Sequence, residues 1–363
     1  MIDKIKKFEE IARELDVPSE KRTVYRDQMV ALTESFLDEL PNMKAFVPDL
    51  KSSKLVDSPI SDDSMPMEDV LALLKETVIE PGLNPASGGH LGYIPGGGIF
   101  SAALGDYAAA ITNRYAGVFF TGPGAVRMEN MLLNWMAEII GYPKNSAGNL
   151  TSGGSIANLI GIVTARDAHG LKARDFERSV IYMTNQVHHS IEKSISIAGL
   201  KEAENRFINV DSKFRMDVDH LERSIEEDKA NGLNPFAIIA SAGTTDVGAV
   251  DPLEGIGDLA KHYGIWYHVD AAYGGFFCMV DEVKGLLKGQ KKSDSIVMDP
   301  HKGLFLPYGS GAVLVKDSQK LYNSHNYFAN YMQDTQKSTE EYSPADLSPE
   351  LTKHFRACGS GCH

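Results

Sequence analysis

Several short stretches of this sequence carry residue types suited to chemistry on a bound small molecule. Lys302 stands in SDSIVMDPHKGLFLPYGSG, flanked by Met298, Leu304, Phe305 and Leu306. Apolar neighbours disfavour an ammonium, which would ready the amine for imine formation. A lysine that snorkels its tip into water fits the same local pattern. His301 beside it can donate to an anionic oxygen, or be a satisfied core histidine. Asp270 closes the apolar run IWYHVD. A carboxylate at the mouth of a buried strand needs a partner, either a neighbouring loop or a protonated ring nitrogen. Against such a nitrogen, at ~3 Å and an effective dielectric of ~20, the attraction is about 5 kcal/mol, enough to hold a ring cationic. TSGGSIANL (151–159) sets glycines and hydroxyls at a loop-to-helix junction, where free N–H groups suit a phosphate, although such a segment taken alone is more often an ordinary helix cap. His188, in NQVHHSIEKS, can stack on an aromatic ring, with His189 the spare. Two adjacent histidines without further ligands do not make a metal site.

The elements that must position these residues follow from the spacing of apolar side chains. Leu32, Phe36, Leu37 and Leu40 recur at helical intervals, and residues 1–85 read as a helical arm joined by polar linkers. The glycine-dense GGHLGYIPGGG (88–98) follows, then a helix through MLLNWMAEIIGYP. From Thr151 onward, helices alternate with the short runs SVIYMT (179–184), FINV (207–210), FAIIASAG (236–243), IWYHVD (265–270), SIVMD (295–299) and AVLVKD (312–317). Such alternation predicts an α/β fold, a mostly parallel sheet with helices on both faces. Ligands bind beyond the carboxyl ends of strands in such sheets. Thr244, Thr245, Asp270, His301 and Lys302 all fall there.

Bulk properties narrow the class. The chain has 363 residues, 43% hydrophobic and 23% charged, with a formal net charge of −13. That balance disfavours nucleic acid and anionic membrane as partners. Cys278, Cys358 and Cys362 are too few for a disulfide framework. No apolar run approaches the ~18 residues of a membrane helix, and the charged start MIDKIKKFEEIARELD is unlike a signal peptide. Cytoplasm is the expected compartment.

The order TSGGSIANL, QVHHSIEKS, SAGTTDVGAVDPLEGI, WYHVDAAYGG and DPHKGLFLPYGSG resembles the group II decarboxylases that depend on pyridoxal 5′-phosphate (PLP). The resemblance covers roughly residues 85–356. It implies the aspartate-aminotransferase fold (PLP fold type I), a homodimer, and conversion of an L-amino acid to an amine and CO2. By the same resemblance Lys302 holds the cofactor as a Schiff base, His188 stacks on its ring, and Asp270 pairs with the ring nitrogen. Ala272 packs on the other face, Gly154, Ser155 and His301 take the phosphate, and Thr245 sits near the ring. Tyr93, Pro95 and Gly96 match a substrate-side loop. A loop tyrosine would return the proton to Cα. Among Tyr327, Tyr331 and Tyr342, ungapped counting from Lys302 selects Tyr331. A carbon–carbon lyase, a decarboxylating aldehyde synthase or an inactive remnant would carry the same cofactor residues, because the bond set perpendicular to the ring decides the reaction. A nicotinamide site is disfavoured, since PGGG lacks GxGxxG spacing.

The end of the chain departs from the pattern. The reading divides the protein into an arm (1–85), a large cofactor-binding domain (86–345) and the start of a shortened small domain (346–363). Where the family continues with something like LRLWLP after LTKHFRA, this chain reads CGSGCH. Those residues can be encoded GCC TGC GGC TCT GGC TGC CAT, counting from the preceding alanine. Restoring one C after the first codon yields Ala-Leu-Arg-Leu-Trp-Leu-Pro. A single-nucleotide frameshift is therefore expected here, and resequencing around codon 357 tests it.

Overall fold

Near-continuous β-branched and apolar runs become strands buried on both faces. In the computed structural model, which describes residues 1–49, 53–58, 60, 62–94, 96–326 and 341–361, the chain divides into two compact units, Met1–Gly97 and Gly98–His363.

The first unit is mainly helical. It contains α1 (Ile2–Ala12), α2 (Ser19–Glu39), a strand β1 (Phe46–Val47), α3 (Ser53–Val56), α4 (Met67–Leu74) and β2 (Gly82–Leu83). The two short strands pair antiparallel, Phe46 opposite Leu83. No side chain of α1 or α2 is buried, so neither helix builds a core of its own.

The second unit opens with α5 (Phe100–Thr112) and α6 (Pro123–Ile140). Proline at the start of α6 loses no intrahelical hydrogen bond, and Gly141 ends the helix at a φ of 82°. Strands and helices then alternate: β3 (Ala147–Thr151), α7 (Gly154–Ala168), β4 (Ser179–Thr184), α8 (Ser190–Ile197), β5 (Glu204–Ile208), α9 (Val218–Ala230), β6 (Asn234–Ser241), α10 (Leu253–Tyr263), β7 (Trp266–Asp270), β8 (Ser295–Met298), α11 (Pro300–Gly303), β9 (Gly311–Val315) and α12 (Ser318–His325). A short α13 (Arg356–Ser360) follows. None of the helices among the described residues is long and apolar enough to cross a membrane.

The strands form a seven-stranded sheet in the order β3-β9-β8-β7-β6-β4-β5. Strand β9 runs antiparallel to both its neighbours, and the other pairings are parallel. The mostly parallel α/β fold expected from the alternation is therefore present. The edge strand β3 was missed: AGNLT contains a glycine and an asparagine, poor strand formers that pairing with β9 overrides.

Alternation along each strand splits the core in two. Val180, Tyr182, Ile238, Tyr267, Val269 and Ile296 face a cluster that includes residues of α6, α9 and α10. Ile181, Met183, Ile239, Trp266, Val297 and Val313 face a second cluster that includes residues of α7 and α8. With period 2, Trp266, His268 and Asp270 share the α7 side of β7. Helix α7 can approach because residue 161 is glycine; a Cβ there would stand 2.6 Å from His268 Cε1.

Candidate functional site

The direction of the strands gathers the site. Strands β3, β4, β6, β7 and β8 deliver their carboxyl ends, and antiparallel β9 its amino end, to one edge of the sheet. Beyond that edge lies a cavity of about 460 Å3. Gly154, Ser155, His188, Thr245, Asp270, Ala272, His301 and Lys302 all line it, and so do Asn158, Ser190, Thr244, Tyr273, Asp299 and Tyr308.

Asp270, at the end of β7, is held on both oxygens. Asn158 Nδ2 donates to Oδ2 at 3.0 Å and the Ala272 N–H donates to Oδ1 at 3.1 Å. Asn158 is placed by α7, one turn on from Gly154, and its amide is a hub. Its Nδ2 also donates to Ser190 Oγ at 3.1 Å, and its Oδ1 lies 2.9 Å from His268 Nε2. Because Asn158 Oδ1 can only accept, His268 carries its proton on Nε2. His268 Nδ1 then accepts from Ser295 Oγ at 2.8 Å, and that oxygen in turn accepts from Trp266 Nε1 at 2.8 Å. Burial holds the His268 ring neutral, with its pKa lowered to about 4.

The hub reaches His188 as well. The Ser190 N–H donates to His188 Nδ1 at 3.2 Å, and Ser190 Oγ lies 2.8 Å from the same nitrogen. Nδ1 is thus an acceptor, and the proton of the neutral ring sits on Nε2. Burial first, then the adjacent His189, pushes the pKa of His188 down. The His188 and His189 rings lie 4.0 Å apart at 44°, and of the two it is His188 that lines the cavity.

Lys302 stands on the one-turn helix α11, its side chain 22% exposed. Its Nζ lies 3.4 Å from Oδ2 of Asp299, which caps β8 three residues earlier and is 1% exposed. The same Oδ2 accepts the Gly154 N–H at 3.0 Å and stands 3.7 Å from His301 Nε2. Asp299 Oδ1 is buried without a hydrogen-bond partner among the described residues. Burial first, opposed by Lys302, raises this carboxyl to about 7. The His301 Nδ1 lies 2.6 Å from the Ser310 carbonyl, and burial lowers its pKa. Two acids, an amine, a helix start and an aromatic imidazole thus converge on one cavity. Such a set can hold a small anion at one end and a cationic heterocycle at the other, with an amine between them.

The remaining expectations concern other parts of the chain. Tyr93 and Gly96 belong to the first unit, while Pro95, Tyr327 and Tyr331 lie outside the described residues. Tyr342 lines a separate groove with residues of α6 and packs at 5.4 Å on Tyr322. Sequence reasoning missed Asn158, Ser190, His268 and Asp299. Signals existed: Asn158 is four residues from Gly154 on one helical face, His268 is two from Asp270 on one strand face, and Asp299 is three from Lys302. Among the described residues, no cluster could hold a metal ion.

Comparison with known proteins supports the same region. A family described as the pyridoxal-dependent decarboxylase conserved domain matches residues 50–358. An aromatic-L-amino-acid decarboxylase of Bacillus atrophaeus is 32% identical over 310 residues, 85% of this chain and 64% of the relative. Tyrosine decarboxylase 2 of Narcissus pseudonarcissus is 28% identical over 334 residues, 88% of this chain and 66% of the relative. The chain thus spans somewhat under two thirds of the length of these relatives. Among solved structures, Oryza sativa TDC with PLP and tryptamine superposes with a TM-score of 0.88 at 25% identity, covering 95% of this chain and 74% of that one. With a match that runs through every strand of the sheet and every residue around the cavity, the chain belongs to the pyridoxal-dependent decarboxylase family.

Proposed function

We propose that the chain decarboxylates an L-amino acid to an amine and CO2 with pyridoxal 5′-phosphate, and that aromatic amino acids are the substrates to test first. One observation carries the reading: an amine at 302 and a fully oriented carboxylate at 270 line a single cavity at the carboxyl edge of the sheet. The relatives named for tyrosine and aromatic amino acids support the substrate class.

The residues present fit the cofactor. Lys302 Nζ would hold it covalently. Gly154 and Ser155 at the start of α7, with His301, would hold its phosphate. Asp270 would hold the ring nitrogen, with Asn158 and the Ala272 N–H fixing the carboxylate plane. His188 and Ala272 would bracket the ring, and Thr245 would border it. When bound, PLP supplies an electron sink for the pair released as CO2 leaves. The protein's part is to keep that sink polarised: Asp270, buried and twice hydrogen-bonded, stays an acceptor toward the ring N–H. The neutral His188 presents its Nε2 proton, held in that tautomer by Ser190. Tyr331, selected by its position in the sequence, would return the proton to Cα.

The exposed Phe100, Leu104, Tyr107 and Ile111 recur along α5 at helical spacing. That exposed apolar face supports a homodimer, and a cytoplasmic enzyme accords with the family reading. The experiment is product analysis: purified protein with PLP and aromatic amino acids should give CO2 with amine. CO2 with aldehyde would instead favour the chemistry of a second kind of relative, phenylacetaldehyde synthase of Petunia hybrida, 31% identical over 70% of this chain. No product, together with no visible cofactor band that Lys302→Ala removes, would overturn the assignment.

A further inference from the structure

The phosphate cradle assigned above already contains an anion of the protein's own. Asp299 Oδ2 takes the Gly154 N–H at 3.0 Å, the donor the cofactor's phosphate would use. It also stands within 3.7 Å of His301 Nε2 and 3.4 Å of Lys302 Nζ. Its other oxygen, Oδ1, is buried and meets no donor among the described residues. A carboxylate oxygen can only accept, so an arriving phosphate would meet two acceptors competing for one set of donors. A carboxylic acid would instead bring a donor of its own.

We propose that Asp299 binds the cofactor's phosphate as the neutral carboxylic acid, so that loading the site takes up a proton at position 299. The inference rests on the PLP reading and deepens it. The charges that face Asp299 are few. Lys302 and His301 face it from α11 and Asp270 from β7, while α7 contributes the Gly154 N–H. Lys302 opposes protonation, Asp270 and burial favour it, and an added phosphate dianion favours it further. The apo carboxyl, already lifted by burial, needs little further change to be neutral in the complex. Cofactor affinity should therefore weaken as pH rises, a property that a neutral amide at 299 would lack.

The probe is pyridoxamine 5′-phosphate, which carries the ring and phosphate but no aldehyde to react with Lys302. Binding to the full chain is measured by calorimetry at pH 8 in two phosphate-free buffers of different ionisation enthalpy. The wild-type protein should take up roughly one proton more per site than Asp299→Asn, and its Kd should weaken up to about tenfold per pH unit relative to the variant above pH ~7. Equal proton counts in the two proteins would overturn this inference while leaving the cofactor reading intact. No binding by either protein would overturn both. Should Asp299→Asn not fold, infrared difference spectra of the wild type decide: a new protonated-carboxyl band on ligand addition is expected, and its absence overturns the proposal.

Discussion

Two lysines of this chain face buried acids, and the two pairs are built differently. Lys353 has a fully buried side chain, and Glu129 beside it is 2% exposed. Lys353 Nζ meets Glu129 Oε1 at 2.7 Å, Asn149 Oδ1 at 3.1 Å and the Leu150 carbonyl at 2.7 Å, filling its three donor positions. Glu129 also accepts the Leu150 N–H at 2.9 Å. Lys302 and Asp299 stand 3.4 Å apart at the wall of a cavity, and Asp299 Oδ1 has no partner among the described residues. The first pair is closed: it staples the segment bearing Lys353 to α6 and β3 and leaves nothing to bind. The second is open, with an amine that reaches solvent and an acid oxygen that meets no partner among the described residues. Buried ion pairs must satisfy every donor and acceptor to be harmless. An incomplete one marks a place where a ligand completes the set.

The largest expected effect separates the pairs by function. Lys302→Ala should remove the visible cofactor band and reduce decarboxylation to background, with little change in folding stability. The reason is that the acid left behind, already lifted to about 7, can neutralise at small cost. Absorbance, product assay and urea unfolding read these together, and a large loss of stability would break the contrast.

Lys353→Met should show the converse. It leaves Glu129 buried and short of its counter-ion, at a cost of about 3–5 kcal/mol in urea unfolding. Activity per folded molecule should change little.

The pH dependence of stability sharpens the comparison further. Asp299 titrates near 3.8 in the unfolded chain and at about 7 in the folded one. Between those values the folded protein holds a proton that the unfolded chain has released. The favourable contribution is therefore complete below pH ~4 and is lost as pH rises toward ~7, up to about 4 kcal/mol in all. Asp299→Asn cannot ionise, so its stability relative to wild type should rise across that window. Thermal melts at pH 4.5, 6 and 7.5 test it, and a constant difference would show that Asp299 does not titrate there.

The smallest effect on cofactor binding concerns the hub behind Asp270. Ser295→Ala strips a partner from both Trp266 Nε1 and His268 Nδ1, and each unmet buried group costs about 1–3 kcal/mol. Freed from Ser295, His268 should hold Asn158 less firmly, and cofactor affinity should fall by a fewfold. Unchanged affinity with reduced stability would make the chain of hydrogen bonds purely structural.

Much of the site was legible before any coordinates. Asp270 and Lys302 are conspicuous because a charge beside SIVM or closing IWYHV contradicts its surroundings, and such contradictions are written in one dimension. The six strands read from the sequence are recovered, because runs such as SVIYMT must be buried on both faces wherever they lie. Strand β3 was not, because AGNLT owes its conformation to β9, more than 150 residues away. Asp299 escaped notice for a related reason: in DPHK it reads as an ordinary residue before a proline.

What the sequence by itself determined was the alternation of elements, the α/β class, and the identity of the charged residues at strand ends, since periodicity and local polarity are properties of neighbours. Tertiary structure alone decided which of those charges share a cavity, which nitrogen of His188 and His268 carries the proton, and that Asp299 takes the Gly154 N–H at the start of α7. Those outcomes depend on burial and on hydrogen-bond partners brought together from distant strands, and neither quantity exists until the sheet has formed.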